Sequence, residues 1–63
     1  MNRRDELMPL SQVLEELGGI SRRTFYRWRE LGRAPICLKL PNGDLLVWRS
    51  DFTVWLESRR EAA

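Results

Sequence analysis

The chain contains no histidine and a single cysteine, Cys37. With one thiol, no disulfide can form within the chain, which fits a reducing cytoplasm. Without histidine or a second thiol, the side chains that most often hold transition metals are missing, so we expect no metal site and no cofactor.

Long apolar runs and paired acids are missing as well. The longest aliphatic and aromatic run covers residues 45–48, far too short to cross a membrane, and the N-terminus has no apolar stretch of the kind a secretory signal needs. The nine acidic residues are scattered, whereas general acid–base catalysis needs carboxylates paired in a cleft. Tyr26 as a covalent nucleophile would have no histidine base. We therefore expect a protein without enzymatic activity.

What the chain does contain is apolar and aromatic surface for one small domain. It has 63 residues, of which 43% are hydrophobic, and these include three tryptophans, two phenylalanines and one tyrosine. Aromatic side chains bury a large area each, so a few of them can hold a small core together. No repeat or low-complexity tract is present.

The positive charge is concentrated in one segment. The whole chain has a net charge of +2, but residues 21–33 alone carry five arginines against Glu30. Ten of the eleven basic residues are arginine, which suits bidentate contacts to phosphates and guanine edges better than lysine does. This distribution is typical of a nucleic-acid-binding protein.

Residues 21–31 predict an amphipathic helix that begins at about Arg22. Ser21 is a good N-cap, because its hydroxyl can accept a hydrogen bond from a backbone N–H of the first turn. Phe25, Trp28 and Leu31 follow at intervals of three and form an apolar face. The arginines lie around the opposite side.

A shorter helix is predicted immediately before it. Ser11 is its expected N-cap, and its apolar positions have the helical spacing of three and four residues: Leu10, Val13, Leu14 and Leu17. Glycines at 18 and 19 end this helix, and Gly32 ends the next one. A helix, a glycine turn and a capped basic helix are the order of a helix-turn-helix, whose second helix enters the DNA major groove.

The remaining residues predict a β-hairpin and a third helix. Residues 36–40 and 45–49 are the expected strands, joined at 41–44 by a turn in which Asn-Gly tolerates positive φ. Ser50 is expected to cap a final helix that runs to about Arg60, with Phe52, Trp55 and Leu56 facing inward.

These elements together predict an α+β fold, mainly α, of the winged helix-turn-helix type. Three short helices would carry a two-stranded β-hairpin, the wing, between the second and third helices. The domain would cover residues 9–60, with a flexible N-terminus at 1–8 and a frayed C-terminus at 61–63.

Two segments resemble the MerR-like winged helix-turn-helix family. Residues 20–35, ISRRTFYRWRELGRAP, are similar to the family pattern of hydrophobic-Ser-x-x-Thr-hydrophobic-x-Arg-Trp followed by glycine and proline. Residues 47–56, VWRSDFTVWL, resemble its aromatic-Arg-x-x-acid-hydrophobic-x-x-Trp-Leu ending. Small members of this family include the excisionases, or recombination directionality factors, and AlpA-like regulators.

The candidate DNA-binding residues of the second helix follow from its exposed side. The resemblance implies that Arg23 and Arg27 meet base edges. Arg22 opposes the helix dipole, which favours a phosphate contact that offsets this cost. Thr24 could bind a phosphate or only close the first turn, and Tyr26 could touch DNA or be a half-buried ring.

Further candidates lie around the hairpin. Lys39, Asn42 and Gly43 could carry the wing into the minor groove, or belong to an ordinary turn. Arg33 and Arg49 could grip phosphates, or form surface salt bridges. The large aromatic residues could stack on bases, as in single-strand binders, but their spacing favours the core.

The first functional hypothesis is a sequence-specific, double-stranded DNA-binding protein. The resemblance implies an excisionase that binds attachment-site DNA in several copies, bends it and directs an integrase toward excision, in the cytoplasm and at the nucleoid of a bacterial host. The second hypothesis is a small transcription regulator of the same fold. The third is a protein-interaction module that does not bind DNA.

Overall fold

The computed structural model describes residues 5–61, which form three helices and one three-stranded antiparallel sheet. The elements in chain order are β1 (Leu7–Pro9), α1 (Leu10–Glu16), α2 (Arg22–Glu30), β2 (Leu38–Lys39), β3 (Leu45–Trp48) and α3 (Arg49–Ser58). In the sheet the order is β1-β3-β2. The α+β class and the three helices are confirmed, but the sheet has one strand more than the predicted hairpin.

The additional strand comes from the N-terminal segment. Leu7 pairs with Trp48 and Met8 with Val47, and the side chain of Met8 is fully buried. Leu7 and Met8 therefore belong to the sheet, although they lie in the segment 1–8 that the sequence predicts to be a flexible N-terminus. Its first four residues lie outside the described part of the chain, as do residues 62 and 63 of the predicted frayed C-terminus.

The core lies between the helices and one face of the sheet. Its buried apolar residues are Met8, Leu10, Val13, Leu14, Phe25, Leu45, Val47 and Phe52. Trp28 and Trp55 are partly buried and pack against them, with their ring centroids 6.0 Å apart. Two predicted core residues are instead exposed. Leu31, 54% exposed, caps the C-terminus of α2, and Leu56, 41% exposed, lies at the edge of the narrow inner face of α3.

Both α1 and α2 end where the sequence places a glycine. Gly18 and Gly32 have φ values of 92° and 69°, a region that favours glycine. The backbone N–H of Gly19 donates to the Leu14 carbonyl over 2.9 Å, and that of Arg33 donates to the Trp28 carbonyl over 2.8 Å. These bonds close the helix ends in Schellman motifs, and they hold the chain after α2 in place.

Two of the three helices do not begin at the serine that the sequence predicts as their N-cap. Ser21 caps α2 as expected, but α1 begins at Leu10 after Pro9, so Ser11 is not its cap. The helix α3 begins at Arg49, and Ser50 lies within its first turn. There the Ser50 backbone N–H donates to a carboxylate oxygen of Asp5 over 2.9 Å. The Asp5 side chain, from near the N-terminus of the chain, thus accepts a hydrogen bond from the first turn of α3.

The hairpin strands are shorter than predicted, and the loop between them differs from a two-residue turn. Gly43 has a φ of 92°, whereas no other residue of the turn has a positive φ. Its N–H donates to the Leu40 carbonyl over 2.8 Å, and the Leu40 N–H donates to the Asp44 carbonyl over 2.9 Å. This is the pattern of a three-residue loop that ends in a left-handed glycine. Separately, none of the helices described here is long and apolar enough to traverse a membrane.

Candidate nucleic-acid interface

The orientation of α2 is set by its cap and its buried ring. The Ser21 hydroxyl accepts a hydrogen bond from the Thr24 N–H over 3.1 Å, which fixes the first turn. The Thr24 hydroxyl lies 3.0 Å from the Ser21 hydroxyl, so it is engaged within the turn. Phe25 is fully buried, so its side of α2 is anchored in the core.

Because an α-helix has 3.6 residues per turn, the buried Phe25 ring turns Arg23 and Arg27, two residues before and after it, outward. Arg22, Arg23 and Arg27 are all exposed. Within residues 5–61, none of these three guanidinium groups forms an ion pair with an acidic side chain. The structure therefore brings together the predicted arginine face, and it leaves the charges of that face unneutralised by the described acids.

One side of α2 lies beside the hairpin loop. A small cavity of about 230 Å³ is lined by Arg22 and Tyr26 of α2 and by Gly43 and Asp44 of the loop. The ring of Tyr26 is 38% exposed, and the Arg29 guanidinium carbon lies 5.7 Å from its centroid. Tyr26 thus shares a surface with Arg22 and the hairpin loop.

The other side of α2 forms a groove with α3. The groove has a volume of about 380 Å³, and its lining residues are Arg27, Trp28, Leu31, Arg33, Trp55 and Arg59. The Trp55 indole N–H donates to the Arg33 carbonyl over 2.8 Å, which ties the chain after α2 to α3. Sequence reasoning missed Arg59, although its position four residues after the inward-facing Trp55 places it on the same side of the helix.

The hairpin loop contributes less than the sequence suggests. The Asn42 side-chain amide donates to a carboxylate oxygen of Asp44 over 3.1 Å, and its carbonyl accepts from the Asp44 N–H over 3.0 Å. Both ends of this side chain are therefore used inside the loop, which favours the ordinary-turn alternative for Asn42. Lys39 is exposed on β2 and is the only basic residue of the hairpin strands and loop.

Arg49 belongs to a different part of the surface. Its two terminal nitrogens bind the two carboxylate oxygens of Glu16 over 2.7 and 2.8 Å, and one of them also binds Glu6 over 3.0 Å. These hydrogen bonds hold the pKa of Glu16 below its usual value. They also raise the pKa of Arg49. The geometry favours the salt-bridge alternative for Arg49 over a phosphate contact.

Cys37 shows no sign of reactivity. Its thiol donates to the Pro35 carbonyl over 3.3 Å, and burial raises the pKa of the thiol. A low pKa is what makes a cysteine nucleophilic or metal-binding, so the shift is in the unreactive direction. In the described part of the chain, no three His, Cys, Asp or Glu residues are grouped closely enough to hold a metal ion.

Comparison with known proteins does not assign the chain to a family. No protein-family model, curated protein or solved structure matches the chain.

Proposed function

We propose that this protein binds double-stranded DNA, without catalysis, as a winged helix-turn-helix with α2 in the major groove. The observation that carries this proposal is the exposed arginine face of α2. Arg23 and Arg27 project on the side opposite the buried Phe25, Arg22 is exposed in the first turn of the helix, and no described acid pairs with any of the three. A rigid helix with this face is complementary to a polyanion.

The three arginines are suited to two kinds of contact. Arg23 and Arg27 are one helical turn apart, so both can face the edges of neighbouring bases, where arginine binds guanine in a bidentate manner. Arg22 lies in the first turn, where a positive charge opposes the helix dipole. A DNA phosphate near this residue would offset that cost, and phosphate contacts fix the register of a protein on the duplex.

A domain of this size contacts only a few base pairs, so specific binding needs neighbouring copies. The outer face of the sheet supports self-association, since Leu46 pairs with both Pro9 and Leu38 and these positions share that face. Leu7 and Leu38 on the same face are 40% and 39% exposed. Exposed apolar surface of this kind is typical of protein contacts.

The specific role that we propose is that of an excisionase. This role rests on the resemblance of residues 20–35 and 47–56 to small MerR-like proteins. Several copies would bind an attachment site, bend it and assist an integrase in the bacterial cytoplasm. A transcription regulator of the same fold is the alternative. Excision of a reporter element with and without the neighbouring integrase separates the two, because a regulator would bind promoter DNA and leave excision unchanged.

DNA binding itself is tested by titrating labelled duplex DNA from around the gene and following fluorescence anisotropy at increasing salt. We expect the affinity to fall steeply, with a slope of the logarithm of the binding constant of about −0.9 per neutralised phosphate. Negligible binding at about 100 mM salt would overturn the proposal, and would favour a protein-interaction module instead.

A further inference from the structure

The groove between α2 and α3 combines three guanidinium groups with an aromatic floor. Arg27, Arg33 and Arg59 line it together with Trp28 and Trp55, and none of the described residues that line it is acidic. The three arginines come from α2, from the chain that follows it, and from the C-terminal cap of α3. Their meeting in one groove is a product of the fold and is not visible as a cluster in the sequence.

The acids of the described residues do not balance the charges of this groove. Among residues 5–61, ion pairs form between Arg49 and two glutamates and between Arg60 and Glu57, but none involves an arginine of the groove. Three like charges around one groove repel each other, and an anion placed there would remove that repulsion. By contrast, Arg60, which follows Arg59 directly, forms an ion pair with Glu57.

The groove is also held in shape. The indole of Trp55 donates to the Arg33 carbonyl, and the Arg33 N–H donates to the Trp28 carbonyl. The backbone of Arg33 is therefore fixed both to α2 and to α3. Trp28 and Trp55, whose ring centroids are 6.0 Å apart, line the groove and pack against the core.

We infer that this groove is a second site for the phosphate backbone of bound DNA, in which Arg33 and Arg59 bind phosphates next to the base edges that Arg27 faces. This inference rests on the proposed function, because Arg27 belongs both to the exposed face of α2 and to the groove. A duplex lying along α2 would carry its backbone past this residue and toward α3. The DNA-binding surface then extends beyond the helix-turn-helix to the end of the third helix.

The test compares Arg59→Ala with Arg60→Ala. The two substitutions remove the same charge from adjacent positions, but only Arg59 lines the groove, while Arg60 lies 3.5 Å from Glu57. Binding to one labelled duplex is measured over a series of salt concentrations, and circular dichroism confirms that both variants are folded. We expect Arg59→Ala to reduce the salt slope by about 1 and to weaken binding equally for different sequences, with Arg60→Ala close to the unsubstituted protein.

The outcomes separate this inference from the proposed function. If the unsubstituted protein does not bind duplex DNA, both fail. If it binds with the expected salt dependence but Arg59→Ala and Arg60→Ala behave alike, the groove is not a phosphate site and the proposed function stands. If Arg59→Ala leaves DNA binding intact but abolishes binding of a tryptophan-containing polyglutamate peptide, the groove is a docking surface for acidic protein segments and the inference is overturned.

Discussion

Arg27 and Arg49 have the same side chain, and their surroundings give them different roles. Arg49 makes two hydrogen bonds to Glu16 and others to Glu6, so its charge is neutralised within the molecule. Arg27 is exposed and has no acidic partner among the described residues. The partners of Arg49 are 33 and 43 residues away along the chain, so no local pattern around residue 49 could have identified them.

Replacing each of these arginines by alanine should therefore give opposite results. We expect Arg27→Ala to abolish specific DNA binding and to change the free energy of unfolding by no more than about 0.5 kcal/mol, as for other surface positions. Arg49→Ala should lower the thermal midpoint and leave the salt slope of DNA binding unchanged. Anisotropy titration and thermal denaturation of both variants check this. Normal binding by Arg27→Ala would show that the assigned face of α2 is wrong.

The same ion pair predicts how stability depends on pH. The pKa of Glu16 in the folded protein lies below its ordinary value of 4.5 because of its hydrogen bonds to Arg49. A carboxylate with a lowered folded pKa stabilises the protein fully above its unfolded pKa, and this stabilisation is lost as the pH falls through the folded pKa. Glu16→Gln should therefore lower the thermal midpoint at neutral pH. The midpoint of this variant should also fall less than that of the unsubstituted protein as the pH is lowered. Parallel acid curves for Glu16→Gln and the unsubstituted protein would contradict this explanation.

Among the secondary-structure elements, those with local signals follow the sequence prediction most closely. Helix α2 has its capping serine before it and its terminal glycine after it, and both act as expected. Strand β1 was missed because a strand of only three residues, the last of them a proline, has no periodic pattern of its own. It forms only because residues 7–9 pair with residues 46–48. The predicted start of α3 is also inaccurate, because a backbone N–H of its first turn is bonded to Asp5, which is distant along the chain.

The two serines that the sequence suggests as helix caps provide a test at this scale. Ser21→Ala should destabilise the protein by about 1 kcal/mol, because the Thr24 N–H loses its acceptor. Ser11→Ala is the matched control. Ser11 is exposed within α1, whose N-cap makes no side-chain hydrogen bond, so we expect a change of no more than about 0.5 kcal/mol. Urea denaturation measures both, and equal losses would contradict the capping assignments.

For the molecule as a whole, the small core makes each buried side chain important. Residues 5–61 supply eight buried apolar side chains to the core, drawn from every helix and from two of the three strands. Domains of about this size are only marginally stable, with a free energy of unfolding at the low end of about 5–15 kcal/mol. The N-terminal strand closes this core, because Met8 contributes one of its largest fully buried side chains.

Met8→Ala should therefore cost about 2–5 kcal/mol, enough to leave much of the protein unfolded near its working temperature, since truncation leaves a cavity in the core. Leu7→Ala is the control, because Leu7 is the neighbouring residue on the outer face of the sheet and is already 40% exposed. We expect Leu7→Ala to cost much less, and its DNA binding at high protein concentration to persist. Urea denaturation followed by tryptophan fluorescence compares the two variants with the unsubstituted protein.

If Met8→Ala and Leu7→Ala destabilise the protein equally, the N-terminal segment is flexible and does not contribute to the core, as the sequence predicts. If Met8→Ala alone unfolds the domain, the arginine face of α2 depends on the N-terminal strand, whose Met8 shares the core with Phe25.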